Sequence, residues 1–249
     1  MSPKKSIPFV ILTSPRSGST WLVSLLNQME DTTSYGELFL PRKRSGKWDK
    51  DFAYPRFVEA RQTGRHNRPA EVFKYLDALY QQPGAVGFKL MYSHLRRYPE
   101  LLAYFEIHRV RIIHLVRQNP LDILISRAVK RKLDQAHRLA NEPPVEGLQV
   151  ELNTETLLRK LQIKQRKMNR ARNLLRWSGL RQMEVGYEEL QKDPSSFSKL
   201  CRFLSIESDG NMPESKFQKV RRESQTKVLK NYGEVRQVLE GTNYLVYLE

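Results

Sequence analysis

Residues 9–22 read Phe-Val-Ile-Leu-Thr-Ser-Pro-Arg-Ser-Gly-Ser-Thr-Trp-Leu. Residues 9–12 are an apolar run and residues 13–20 are small, polar and turn-forming. From Trp21 the apolar positions Leu22, Leu25, Leu26 and Met29 follow a helical spacing. The stretch predicts strand, loop and helix in succession. Such a loop aims backbone N–H groups, hydroxyls and the positive end of a helix dipole at one point, which suits a phosphate-type anion. In a Gly-Lys-Ser/Thr loop the lysine reaches the terminal phosphates and the hydroxyl holds magnesium. Here Gly18 is followed by Ser19 and Thr20, and the cation, Arg16, precedes the glycine. Arginine is a permanently charged fork that neutralises an anion without donating its own proton.

A chain of 249 residues can bury a substantial core, and one domain over residues 1–249 is expected. Its 39% hydrophobic and 28% charged residues read as globular, with no apolar run of membrane-spanning length. Residues 1–8 hold two lysines but no apolar segment of signal-peptide length, so a cytoplasmic protein is expected. A single cysteine, Cys201, excludes an internal disulfide and a Cys-rich metal site. The excess of 43 Lys and Arg over 27 Asp and Glu, a net +16, favours a polyanionic partner. Nucleic acid, anionic lipid, a nucleotide and a sulfated acceptor all satisfy it.

Further strands are expected at residues 85–91, 110–116 and 181–186, each followed by a helical pattern. Residues 31–41 read as a turn in which Glu37 stands beside apolar Leu38 and Phe39. A carboxylate in such company can serve as a general base, because desolvation raises its pKa; a solvated loop glutamate is the alternative. Lys89 and His94 fall at the C-terminal end of the second strand, the edge where parallel sheets bind ligands. Trp48, Phe52, Tyr54, Phe57, Tyr75 and Tyr80 read either as an acceptor pocket or as a local core. Asn119 and Pro120 open a helix expected to run to about Ala140, which puts Arg117 at a strand tip and Ser126 on the helix. ATP-hydrolysing P-loop proteins commonly carry a magnesium-binding aspartate at that tip. A long basic helix is expected at residues 154–177, with an apolar stripe that includes Leu157, Leu161, Ala171, Leu174 and Leu175.

Taken together, Thr13-Ser-Pro-Arg-Ser-Gly-Ser-Thr-Trp-Leu22, Ile113-His-Leu-Val-Arg117 with Ser126, and Tyr187-Glu-Glu-Leu190 resemble the PAPS-dependent sulfotransferases. PAPS is 3′-phosphoadenosine 5′-phosphosulfate. The resemblance implies an α/β fold, a central parallel sheet flanked by helices, and transfer of a sulfuryl group to a small-molecule or carbohydrate acceptor, leaving PAP. It implies that Arg16, Ser17, Gly18, Ser19 and Thr20 hold the 5′-phosphosulfate, that Arg117 and Ser126 hold the 3′-phosphate, that Tyr187 approaches the adenine, and that Trp21 belongs to the same cofactor site. No metal is required. Arg16 would stabilise the leaving phosphate. The base would be Glu37, as in many carbohydrate and bacterial members, or His94, as in cytosolic small-molecule members.

The chain departs from the cytosolic members, which usually carry lysine at the position of Arg16, space the arginine and serine one residue closer, and end in a Lys-Gly-rich lid. Its Asn231-Tyr-Gly-Glu234 tail resembles the bacterial type instead. That leaves the third 3′-phosphate contact open among Arg221, Arg222, Lys227 and Lys230. Two rival readings stand beside this one. A small-molecule kinase on the same framework lacks its Gly-Lys-Ser/Thr here. A basic nucleic-acid binder would use the +16 charge, but no nucleic-acid partner is expected.

Overall fold

Strand β1 (Ile7–Thr13) is the middle strand of a five-stranded sheet in which every pairing is parallel. The structure is a computed structural model that describes residues 6–40, 52, 55–62, 68–133, 138–139, 147–215, 217–218 and 223–249. The chain runs from β1 through α1 (Ser19–Leu26), β2 (Thr32–Tyr35), α2 (Arg56–Gln62) and α3 (Pro69–Leu79) to β3 (Ala85–Met91). Next come α4 (Tyr92–Arg97), α5 (Glu100–Ile107), β4 (Arg111–Val116), α6 (Pro120–Leu133) and the short strand β5 (Arg138–Leu139). It continues with α7 (Leu157–Trp177), β6 (Gln182–Gly186), α8 (Tyr187–Lys192) and α9 (Pro194–Leu204). Strand β7 (Phe217–Gln218), α10 (Gln225–Val228) and α11 (Tyr232–Leu239) complete it. The sheet order is β2-β3-β1-β4-β6, and β5 pairs β7 antiparallel apart from it.

The apolar run of β1 is continuous because helices cover both faces of the sheet. Phe9 and Ile11 pack with Leu22 and Leu26 of α1 and with Phe197 and Leu200 of α9. Val10 and Leu12 point the other way, into a cluster with Leu76 of α3 and Leu101 and Phe105 of α5. A third cluster joins α6, the start of α7, residues 148–152, α10 and α11. Helix α7 spans two cores: Leu157 and Leu161 lie in the third cluster, Leu175 in that of α3 and α5. Among the described residues no helix is long and apolar enough to cross a membrane.

From β1 the chain passes to the edge strand β2, returns to β3, and then crosses over β1 to reach β4. Connections therefore leave β1 and β4 toward opposite sides, and the C-terminal ends of these strands flank a crevice, the usual ligand position in such sheets.

The α/β class and parallel sheet are as expected, and four of the five strands fall where the sequence places them. The fifth, β2, was expected to be a turn. Its Thr-Thr-Ser-Tyr sequence has no apolar alternation, but the Asn27 side chain accepts from Ser34 N and donates to Ser34 O, both at 2.8 Å, and holds the edge in place. The helix expected to reach Ala140 ends at Leu133, and Arg138–Leu139 is strand. Leu174, expected in the stripe of α7, is 39% exposed because α7 turns that face to solvent. The aromatics resolve toward core: Phe57 is buried among Phe39, Tyr75 and Tyr98. Trp48 and Tyr54 lie outside the described residues.

Candidate active site

Thr13 closes β1 by donating its Oγ1 to the Leu115 carbonyl of β4 at 2.7 Å. The chain then turns through Arg16 and Gly18, both in the left-handed region at φ 73° and 82°. Turns of this kind direct consecutive N–H groups into one concavity. Ser17 Oγ donates to the Ser14 carbonyl at 2.8 Å, so this hydroxyl braces the loop. Helix α1 starts at Ser19, and its N-cap, Gly18, has no side chain with which to cap it, so the positive end of the helix faces the loop.

Gly18 is required twice. Its φ disfavours any side chain, and a Cβ would stand 2.2 Å from Tyr187 Cδ2. Tyr187, the first residue of α8, is buried over the loop. Its ring meets Trp21 edge-on at 5.5 Å between centroids, and Arg117 Cζ lies 5.3 Å from its centroid. Burial raises the Tyr187 pKa, so the phenol stays neutral.

Arg117 continues β4 and is only 12% exposed. Its Nη2 donates to Asp122 Oδ2 at 2.8 Å and its Nη1 to the Arg16 carbonyl at 3.4 Å. Glu188 Oε1 stands 3.8 Å from Nε, which is buried without a hydrogen-bond partner. Arg16 Nε in turn donates to Ser126 Oγ of α6 at 3.0 Å. Burial first, and then the adjacent Arg117 charge, lower the Arg16 pKa, although an arginine remains protonated. Two cations are thus held side by side at the crevice.

The C-terminal segment is tied to the same place. Gln225 of α10 is fully buried and donates to Asp122 Oδ1 and to the Tyr247 carbonyl, both at 3.0 Å. Lys227 lies on the exposed side of α10, whereas Lys230 lines a groove between α6 and α7. Arg221 and Arg222 lie outside the described residues.

On the other side of β1, Lys89 is 2% exposed and donates its Nζ to Thr20 Oγ1 at 3.1 Å. Its backbone N–H donates to the Gly36 carbonyl, which fixes the half-buried Glu37 just beyond β2, at the level of the loop. His94 sits in the first turn of α4, where Nδ1 accepts from the Met91 N–H at 3.4 Å. Burial, and secondarily Arg97, lower its pKa to about 4, so the imidazole is neutral.

Sequence reasoning missed a chain of polar groups that runs from the end of β3 through the buried His114 to the surface. The Tyr92 hydroxyl lies 2.7 Å from His114 Nε2, and His114 Nδ1 lies 3.0 Å from Glu184 Oε2. Arg172 of α7 forks onto Glu184 with contacts of 2.7 and 2.8 Å. Burial lowers the His114 pKa against the pull of Glu184. Asp122 and Gln225 were missed too; each is an ordinary polar residue until the fold pairs them. Among the described residues no three of His, Cys, Asp and Glu converge to hold a metal.

Anion loop, cationic strand tip and aromatic lid occur together in chain order, and the model described as Sulfotransferase family matches residues 8–210. The chain belongs to the sulfotransferase family. It is an enzyme of the class that the sequence motifs imply. No curated protein matches this sulfotransferase significantly in sequence. Among solved structures it resembles the sulfotransferase domain of the Synechococcus PCC 7002 olefin synthase, at 20% identity and TM-score 0.48, over 84% of this chain and 77% of that one. A sulfotransferase from Alicyclobacillus acidocaldarius aligns at 14% identity and TM-score 0.46, over 97% and 96%. Mouse SULT7A1, solved with PAP, aligns at 16% identity and TM-score 0.44, over 99% and 76%.

Proposed function

We propose that this sulfotransferase takes PAPS as donor and transfers the sulfuryl group in line to a hydroxyl, less readily an amine, of a small-molecule or carbohydrate acceptor. One observation carries the reading: the Arg16 loop and the Arg117 strand tip form two adjoining cationic subsites across the β1–β4 crevice, joined by the Arg117 contact to the Arg16 carbonyl, with Ser126 bonded to Arg16. A nucleotide with anionic groups at its 5′ and 3′ ends satisfies both. The residues fit it: α1 opens on Gly18, which has no side chain to cap it, Arg117 Nε is buried without a hydrogen-bond partner among the described residues, and Tyr187 offers a ring above Gly18.

PAPS supplies a sulfuryl group on its 5′-phosphate; a bond forms from the acceptor oxygen to sulfur as the sulfur–phosphate oxygen bond breaks. Arg16, the loop N–H groups of residues 17–20 and the α1 dipole hold the 5′ end and stabilise charge on the departing phosphate. Trp21 and Tyr187 flank the adenine, and Arg117 with Ser126 holds the 3′-phosphate. Lys227 remains the described candidate from the tail for a further contact. Glu37 takes the acceptor proton. His94 is the weaker candidate for the base, because its Nδ1 is engaged by the Met91 N–H; it positions α4. The protein's own cations neutralise the phosphates, so no metal is called for, and nucleic acid is not the partner.

The catalytic unit includes the C-terminal segment around α10, because Gln225 braces Asp122 and through it Arg117. The enzyme acts in the cytoplasm. Sulfur-labelled PAPS incubated with a panel of hydroxylated acceptors and a chelator tests the reading. Labelled product is expected. Phosphoryl transfer from ATP and magnesium, with none from PAPS, would overturn it.

A further inference from the structure

A cavity of about 150 Å³ opens beside the anion loop at Ser14 and Pro15, between Tyr92 on one side and α6 and α7 on the other. Among the described residues its charged lining is Arg117, Arg127, Lys164 and Lys167, with no Asp or Glu. It continues into a groove of about 860 Å³ between α6 and α7, which shares Arg127, Lys164 and Lys167 and adds Arg131, Lys160 and Lys230. Among the described residues lining the groove, Glu151 is the one carboxylate. Among the described residues Arg127, Lys164 and Lys167 make no ion pair.

General solubility does not account for this arrangement. Helix α7 carries eight Lys and Arg and no Asp or Glu, and a solubilising face would leave them all in water. Lys164 instead turns inward and is half-buried. Burial, then Arg127 and Lys167, push its ammonium down to about 7. Like charges gathered in a concave, partly desolvated space are unfavourable until an anion enters.

Building on the proposed sulfuryl transfer, we infer that the acceptor is itself an anion. Its carboxylate, sulfate or phosphate sits against Arg127, Lys164 and Lys167, its hydroxyl faces the loop at Ser14, and a longer acceptor follows the α6–α7 groove. The cavity thereby selects acidic over neutral acceptors of the same shape.

Binding to the PAP-saturated protein tests this with two matched pairs: tetragalacturonate against its methyl ester, and sulfated against neutral maltotetraose. At least one anion binds about tenfold or more tightly than its neutral partner, as one or two charge-assisted contacts predict. The pair that responds tells carboxylate from sulfate. Lys164→Gln with Lys167→Gln removes most of that preference and leaves PAP affinity in place. Arg166→Gln with Arg170→Gln, on the exposed face of α7, leaves both unchanged. No preference for either anion overturns the inference, as does equal weakening by the outer-face variant, which would mean diffuse surface charge. Loss of PAP affinity in the Lys164 and Lys167 variant would assign the cavity to the nucleotide. Tighter binding of oligothymidylate through the same two lysines would replace the acidic acceptor with nucleic acid. A wild-type protein that binds no PAP contradicts the donor assignment instead, and that failure is read separately.

Discussion

Arg16 Nε donates to Ser126 Oγ at 3.0 Å, joining residues 110 positions apart. The contact ties the anion loop to α6 and sets Arg16 next to Arg117, whose charge lowers the Arg16 pKa. Two permanently charged groups so placed repel each other, and the doubly anionic nucleotide proposed above would offset that repulsion.

Gly18→Ala is expected to disable the site. The left-handed backbone costs about 1–3 kcal/mol for a non-glycine residue, and the added Cβ collides with the Tyr187 ring. Thermal unfolding and PAP calorimetry check it: both stability and affinity fall. Unchanged values for both would mean that the loop and Tyr187 are not packed as described.

Arg117→Ala removes a charge-assisted contact worth roughly 1.5–3 kcal/mol. It also removes the cation that Asp122 and Glu188 face from β4. PAP affinity drops by about tenfold or more, while ADP, which has no 3′-phosphate, changes little. Arg117→Lys recovers only part, because a point charge lacks the fork. Equal losses for PAP and ADP would move the 3′-phosphate elsewhere.

Glu37→Gln is expected to remove transfer while PAP affinity stays near wild type, because the carboxylate acts on the acceptor. Full turnover by this variant would rule out Glu37 as the base.

His94 makes stability depend on pH with a definite sign. Its folded pKa of about 4 lies below the unfolded value near 6.5. The unfolded chain therefore binds more protons between these values, and stability falls as pH drops through this window. The loss approaches roughly 3 kcal/mol near pH 4; above about pH 6.5 both states are neutral and this term is constant. Urea midpoints measured from pH 4 to 8 show it. His94→Asn, which keeps an acceptor for the Met91 N–H but does not titrate, flattens that part of the profile. An unchanged slope would place the titration elsewhere, His114 being the next candidate because its pKa is lowered by burial as well.

Local signals were legible in the sequence. The strand, loop and helix around Gly18, the arginine after β4 and the tyrosine after β6 each depend on a few consecutive residues, and the parallel sheet follows from them. Strand β2 was hidden because its pairing is enforced by Asn27 and by the exposed edge of β3, not by its own side chains. Contacts across the chain were hidden too. Nothing near Asp122 announces Gln225, and Tyr92, His114 and Glu184 meet only when β3, β4 and β6 align. Lys164 looked like one charge among many on a basic helix; its inward turn is set by the packing of Leu157 and Leu161 against α6.

The central claim is a site built for a nucleotide that is anionic at both ends, and calorimetry of PAP against ADP, with a chelator present and at moderate salt, tests it most directly. Clear preference for PAP without metal is the predicted result. Equal affinity for the two, or binding of neither, would contradict the account.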